Sequence, residues 1–124
     1  MPRKSMEVLT ESMLYVLLAL RLRPMCGIEI AAAISELSDG RVQLGPATLY
    51  TILSKYEQER LIQEIGAEGR KRTYRITQSG LAACRQELAR LRRCLADAEK
   101  QEGVLSDGEE KEPACLPFSA LPDV

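Results

Sequence analysis

A chain of 124 residues, 45% hydrophobic and 28% charged, has the size and composition of one globular domain with one core. It contains no histidine and no tryptophan, and the missing imidazole removes Ser–His and Cys–His nucleophile pairs, histidine general bases and histidine metal ligands together. The net charge of −1 hides an asymmetry: residues 1–100 carry 16 Lys and Arg against 12 Asp and Glu, whereas residues 101–124 carry one Lys and six acids. A mildly basic body with an acidic end suits a DNA binder whose tail stays off the duplex.

The opening residues 1–9, with Arg3 and Lys4, read as a flexible basic arm. Thr10 can cap a helix, with Glu11 in its first turn, and that helix runs to about Arg23 and stops before Pro24. Its run from Met13 to Leu20 is apolar on every side and needs cover all round, which points to a partner chain supplying part of it through Leu14, Leu17 and Leu18. The same run is only eight residues long, far short of a membrane span. No cleavable apolar stretch follows the basic start, so a cytoplasmic protein with no membrane partner is expected.

A second helix is expected from Gly27 to about Ser38, where Ile30, Ile34 and Leu37 repeat at helical spacing. Asp39 and Gly40 end it in a turn, and Arg41 to Gln43 reads as a very short strand. Gly45 and Pro46 open a third helix, proline standing where its missing donor does no harm. Leu49, Ile52, Leu53 and Tyr56 form its buried face. The opposite face shows Ala47, Thr51, Ser54 and Gln58, flanked by Thr48, Tyr50 and Lys55, with no acid until Glu57. A helix lying against phosphates needs such a face.

Leu61 to Ile65 and Lys71 to Ile76 read as two strands around a hairpin tip at Gly66 to Gly69, with Tyr74 and Ile76 inward and Thr73 and Arg75 outward. Arg70, Lys71 and Arg72 make this turn cationic. Thr77 caps a fourth helix from about Gln78 to Lys100, roughly 34 Å long. Leu81, Cys84, Leu88, Leu91 and Leu95 recur at alternating spacings of three and four, a heptad seam suited to another subunit. Residues 101–124, rich in acids and proline, read as a disordered acidic tail.

The elements assemble into a mostly α fold with a small β wing: a winged helix-turn-helix over residues 10–77 and a long dimerisation helix over 78–100. In that geometry the third helix enters the major groove and the wing lies along the backbone. Lys55, Arg70, Lys71 and Arg72 can meet phosphates, and Thr48, Tyr50, Thr51 and Ser54 can reach base edges. Tyr50 packed on the wing is the alternative for that residue. Cys26, Cys84, Cys94 and Cys115 form no CxxC pair and fit no zinc or redox spacing. Cys26, Cys84 and Cys94 read as reduced, buried or interfacial thiols acting as small hydrophobes, the alternative being a disulfide between two copies of Cys84 or Cys94. Paired carboxylates, nucleophile–base pairs and phosphate loops are absent, so neither an enzyme nor a cofactor is expected.

Four segments in this order resemble the PadR family of bacterial transcription regulators: Leu9 to Leu20, Pro24 to Ile30, Gly45 to Tyr50, and Arg70 to Gly80. The specific signals are Gly45, Pro46, Thr48, Leu49 and Tyr50, followed by Arg70, Lys71, Tyr74, Ile76, Thr77 and Gly80. The resemblance, to the short-type members, implies a dimeric winged-helix repressor of promoters relieved by a small-molecule effector, a small apolar compound at the dimer interface. It implies that Thr48, Tyr50 and Lys55 lie in the recognition helix, that Arg70 to Arg72 form the wing, and that the helix from Gln78 packs with the partner's first helix. The chain departs from the family pattern at Cys26, Gly27 and Ile28, where His, Gly and Tyr are usual, and at Arg60, where Gly is usual. The expected function is a sequence-specific regulator binding double-stranded promoter DNA as a homodimer. A winged-helix protein–protein adaptor is the alternative, distinguished by an apolar patch on the third helix.

Overall fold

A computed structural model describes residues 9–108, with side chains through Leu105. The elements are α1 (Glu11–Leu22), β1 (Met25–Cys26), α2 (Gly27–Leu37), α3 (Pro46–Gln58), β2 (Ile62–Glu68), β3 (Lys71–Ile76) and α4 (Gln78–Gly108). The described residues form two units, up to Arg90 and from Leu91 onward, and α4 contributes to both. The expected arm, apart from Leu9, and residues 109–124, including Cys115, lie outside the described residues. Leu9 itself packs against the core.

The first unit is a three-helix body carrying an antiparallel sheet in the order β1-β3-β2, with the first turns of α4 packed against it. Its mostly helical architecture with a small β wing is a winged helix. Thr10 Oγ1 accepts the Met13 N–H at 3.1 Å, which starts α1. Leu14, Val16, Leu17, Ala19 and Leu20 of α1 are all buried within the single chain. The cover expected from a second subunit is thus supplied internally for Leu14 and Leu17, by α2, α3 and the sheet. Tyr56 ties α3 to α1, its hydroxyl donating to the Met13 carbonyl at 2.7 Å. Burial pushes that phenol well above its ordinary pKa.

Two helix ends determine the connections. At the end of α2, Asp39 adopts φ 55°, with Gly40 N–H donating to Ser35 O and Asp39 N–H to Glu36 O. At the end of α3, Arg60 adopts φ 61°, with Leu61 N–H donating to Tyr56 O and Arg60 N–H to Glu57 O. Both are left-handed caps that satisfy the last carbonyls of a helix. The strand expected at Arg41 to Gln43 does not form. Ser38 Oγ takes the Val42 N–H at 2.9 Å, so a side chain replaces the ladder and Val42 tucks into the core. The strand beside β3 is instead β1, through Met25 opposite Tyr74 and Cys26 opposite Thr73.

The hairpin also differs from its expected shape. β2 continues through Gly66 to Glu68, with an irregularity between Glu64 and Gly66 that leaves Ile65 exposed, and the turn lies at Gly69 and Arg70. Gly69 takes φ 64°, which glycine adopts without a Cβ clash. Tyr74 is buried and Ile76 half-buried, as the alternation requires. Thr77 joins sheet to helix: its hydroxyl lies 2.8 Å from the Arg60 carbonyl and 3.0 Å from that of Leu61, and accepts the Gly80 N–H at 3.1 Å. A Cβ at Gly80 would collide with the Leu61 carbonyl and with Ile76, so α4 can start here only with glycine in its first turn.

In the second unit α4 continues helical to Gly108, eight residues beyond the expected boundary at Lys100. Glu102 and Gly103 do not stop it. Along this stretch Leu91, Leu95, Val104 and Leu105 are exposed.

Candidate nucleic-acid interface

The interface is built on α3. Gly45 is its N-cap and Pro46 its first residue, and no acid stands in its first turn. Leu49, Ile52, Leu53 and Tyr56 are buried and set the rotation of the helix. At 3.6 residues per turn the remaining positions span an arc of about 160° on the other side. Thr48, Tyr50, Thr51, Ser54 and Lys55 are all exposed on that arc, together with Ala47. The helix start adds the positive end of its dipole to this face.

Each side chain on the arc has a definite local state. Thr51 Oγ1 donates to the Ala47 carbonyl at 2.9 Å, which leaves its lone pairs outward. Lys55 Nζ lies 3.3 Å from Glu59 Oε2, an exposed pair one turn apart that phosphate can displace at small cost. Tyr50 is 47% exposed. Its ring lies over Gly27 at the start of α2, and a Cβ added there would stand 2.5 Å from the Tyr50 hydroxyl oxygen. The sequence reading missed Gly27, which is buried and makes room for this ring. The signal was present in the spacing of the helix-turn-helix, but a glycine opening a helix is ordinary enough to hide it.

The second component is the β2–β3 hairpin. Arg70, Lys71 and Arg72 are all exposed at and after its turn. Arg72 reaches Glu64 across the strands at a loose 3.8 Å, and Arg75 is held to Gln63 Oε1 through Nε at 3.2 Å and Nη2 at 3.0 Å. Behind the hairpin Glu29 closes the start of α2, its Oε1 accepting the Cys26 N–H at 2.9 Å. That backbone hydrogen bond holds the Glu29 carboxyl below its ordinary pKa, with Arg23 and Lys71 adding a smaller charge effect.

The residues expected at a dimer interface divide into three states. Leu14, Leu17 and Cys84 are core residues of one chain and offer no surface. Leu18, Leu81 and Leu88 are half-buried, and Leu91 and Leu95 are exposed. Burial raises the Cys84 thiol above its ordinary pKa, so a disulfide between two copies of Cys84 lacks the accessible thiolate it needs. Glu87 is buried with them, its carboxylate gripping Arg90 through contacts of 3.1 Å and 2.6 Å. Among the described residues no group of three or more acids and cysteines can hold a metal ion. No helix among them is long and apolar enough to cross a membrane.

Residues 16–86 of the chain match the transcriptional regulator PadR-like family. The chain belongs to that family. Transcription regulators of known structure share the architecture. A transcriptional regulator from Clostridium thermocellum aligns with a TM-score of 0.63 and 26% identity over 71% of this chain and 89% of that one. A PadR-like transcription factor from Bacteroides fragilis aligns with a TM-score of 0.62 and 17% identity over 72% of this chain and 87% of that one. An uncharacterized 37.1 kDa protein in transposon TN4556 of Streptomyces fradiae is 36% identical over 70 residues, 56% of this chain and 20% of its own length. The chain thus spans about a fifth of that relative. The family so matched is one of transcriptional regulators.

Proposed function

We propose that this PadR-like regulator binds promoter DNA in the cytoplasm as a homodimer and represses transcription until a small-molecule effector relieves it. The observation that carries the reading is the exposed arc of α3, small, polar and acid-free from Ala47 to Lys55, on the same compact unit as the cationic hairpin turn. Thr48, Thr51 and Ser54 read base edges in the major groove, Tyr50 stands at the flank, and Lys55 with Arg70 to Arg72 engages phosphates. Leu91 and Leu95, with the half-buried Leu81 and Leu88, supply the pairing face of α4. An adaptor would need an apolar patch on α3, and the arc carries one large ring, Tyr50.

The test is binding of duplex DNA from the protein's own upstream region, followed by fluorescence anisotropy against salt. If 6–10 phosphates are engaged, affinity falls about 10³–10⁵-fold between 50 and 200 mM salt. Lys55→Ala and Arg72→Ala should each weaken binding and flatten that slope. Intact dimer that fails to bind at 50 mM salt would overturn the reading.

A further inference from the structure

The exposed arc of α3 carries a restricted set of base-reading groups. Arginine on guanine, and asparagine or glutamine on adenine, read a base through two hydrogen bonds. None of the three stands between Ala47 and Lys55. The two candidates just before the helix are already engaged. Arg41 Nη2 lies 2.7 Å from Glu11 Oε2 and donates to the Tyr15 hydroxyl at 3.3 Å. Gln43 Nε2 donates to the Gly40 carbonyl at 3.1 Å. Gln58 closes the helix, about 10 Å along its axis from Thr51, whereas a recognition helix meets base edges with its N-terminal residues.

What remains at the front is Ala47, Thr48 and Thr51, and the hydrogen bonding of Thr51 is defined. A hydroxyl holds one proton and two acceptor lone pairs. Thr51 gives its proton to the Ala47 carbonyl at 2.9 Å, so toward a base its oxygen accepts and does not donate. The same bond holds χ1, and with it the methyl group, in one arrangement. Ala47 stands one turn earlier, exposed, its Cβ about 5–6 Å from that of Thr51. In the major groove an A·T pair offers the adenine N6 amine to an acceptor and the thymine C5-methyl to an apolar group. A G·C pair offers an amine on cytosine but no methyl, and its guanine O6 and N7 need donors that neither Ala47 nor Thr51 supplies.

We propose that Thr51 and Ala47 determine the specificity of this helix by selecting one A·T pair in each half-site, Thr51 Oγ1 accepting from the adenine N6 amine and the Ala47 methyl lying on the thymine methyl. This rests on the DNA-binding reading above. Loss of Thr51 then changes which duplex is preferred, not how phosphates are held.

The experiment selects duplexes from a randomised pool with the full chain at about 50 mM salt. In the selected duplex each thymine is then replaced by deoxyuridine, which lacks the methyl, and each adenine by deoxynebularine, which lacks the N6 amine. At one A·T pair per half-site the wild type should lose affinity with both, about fourfold for the methyl and about 2–10-fold for the amine. Thr51→Val, which keeps the shape without the oxygen, should become indifferent to deoxynebularine at that pair and still respond to deoxyuridine. Thr51→Ser, which keeps the oxygen, should respond to deoxynebularine as the wild type does. Ala47→Gly should become indifferent to deoxyuridine alone. Exchanging that pair for G·C should weaken the wild type about 5–150-fold. The salt slope of Thr51→Val should equal that of the wild type, because no phosphate contact is lost. Unchanged analogue responses in Thr51→Val, a G·C pair at the position that Thr51 controls, or a flattened salt slope in Thr51→Val would overturn the proposal and leave DNA binding standing. A chain that retains no duplex overturns the DNA-binding reading and this proposal with it.

Discussion

Arg60, Gly80 and Gly27 show how backbone geometry decides what a single position tolerates. An L-residue in the left-handed region costs about 1–2 kcal/mol, and glycine loses about 0.5–1 kcal/mol of that advantage to chain entropy. Arg60→Gly should therefore stabilise the protein by about 0.5–1 kcal/mol, read as a higher urea midpoint at unchanged slope. A lower midpoint would mean that the arginine side chain contributes more than its backbone costs. Gly80→Ala should act in the other direction by about 2 kcal/mol or more, because its Cβ meets the Leu61 carbonyl, which Thr77 holds immediately before β2. Gly27→Ala meets only the mobile end of Tyr50. It should leave the urea midpoint nearly unchanged and alter DNA affinity to the same extent as Tyr50→Ala. A large loss of stability would show that Tyr50 is part of the core instead.

At the scale of elements, α3 is held from both sides. Tyr56→Phe removes the hydroxyl that reaches Met13 and should cost about 1 kcal/mol, since that carbonyl sits inside a helix with a second partner for its other lone pair. Acid should loosen the same body. Glu11 is held below the ordinary carboxyl value of 4.5 by its hydrogen bond from Arg41, and Glu29 by the Cys26 amide. With folded values below the unfolded one, their contribution is complete above about pH 4.5 and is lost as pH falls through the lower folded values. Glu29→Gln should flatten the loss of stability below pH 4.5 in chemical denaturation; an unchanged acid limb would contradict the assignment.

These elements also show what a sequence can carry. The faces of α2 and α3 were legible because Ile30 with Ile34, and Leu49 with Ile52, Leu53 and Tyr56, repeat with the helical period. The caps at Thr10 and Thr77 were legible because a short hydroxyl side chain has a local use at a helix start. What failed was non-local. Whether Leu14 and Leu17 meet their own chain or another depends on how α2, α3 and the sheet close around α1, which periodicity does not encode. Arg41 to Gln43 carries β-compatible residues, but Ser38 claims the Val42 amide before a strand can. The pairing of β1 with β3 rests on Met25 and Cys26 alone, too short for any pattern. The candidate site was legible in its eight exposed residues, whereas the room that Gly27 leaves for the Tyr50 ring exists only once α2 and α3 are packed together.

For the whole molecule, the body folds as one unit whose core includes Cys84, while the leucines beyond Arg90 remain exposed. Leu91→Lys combined with Leu95→Lys should therefore yield a folded monomer, with wild-type helix content by circular dichroism and half the mass by sedimentation. Loss of fold would show that pairing is needed to form the core.

The measurement that bears most directly on the function is salt-dependent anisotropy of the wild type, Lys55→Ala and Arg72→Ala on duplex DNA from the upstream region. The expected result is a steep loss of wild-type affinity from 50 to 200 mM salt and a shallower slope, with weaker binding, for each variant. Identical slopes for all three proteins would contradict it, since α3 and the hairpin would then lie away from the phosphates.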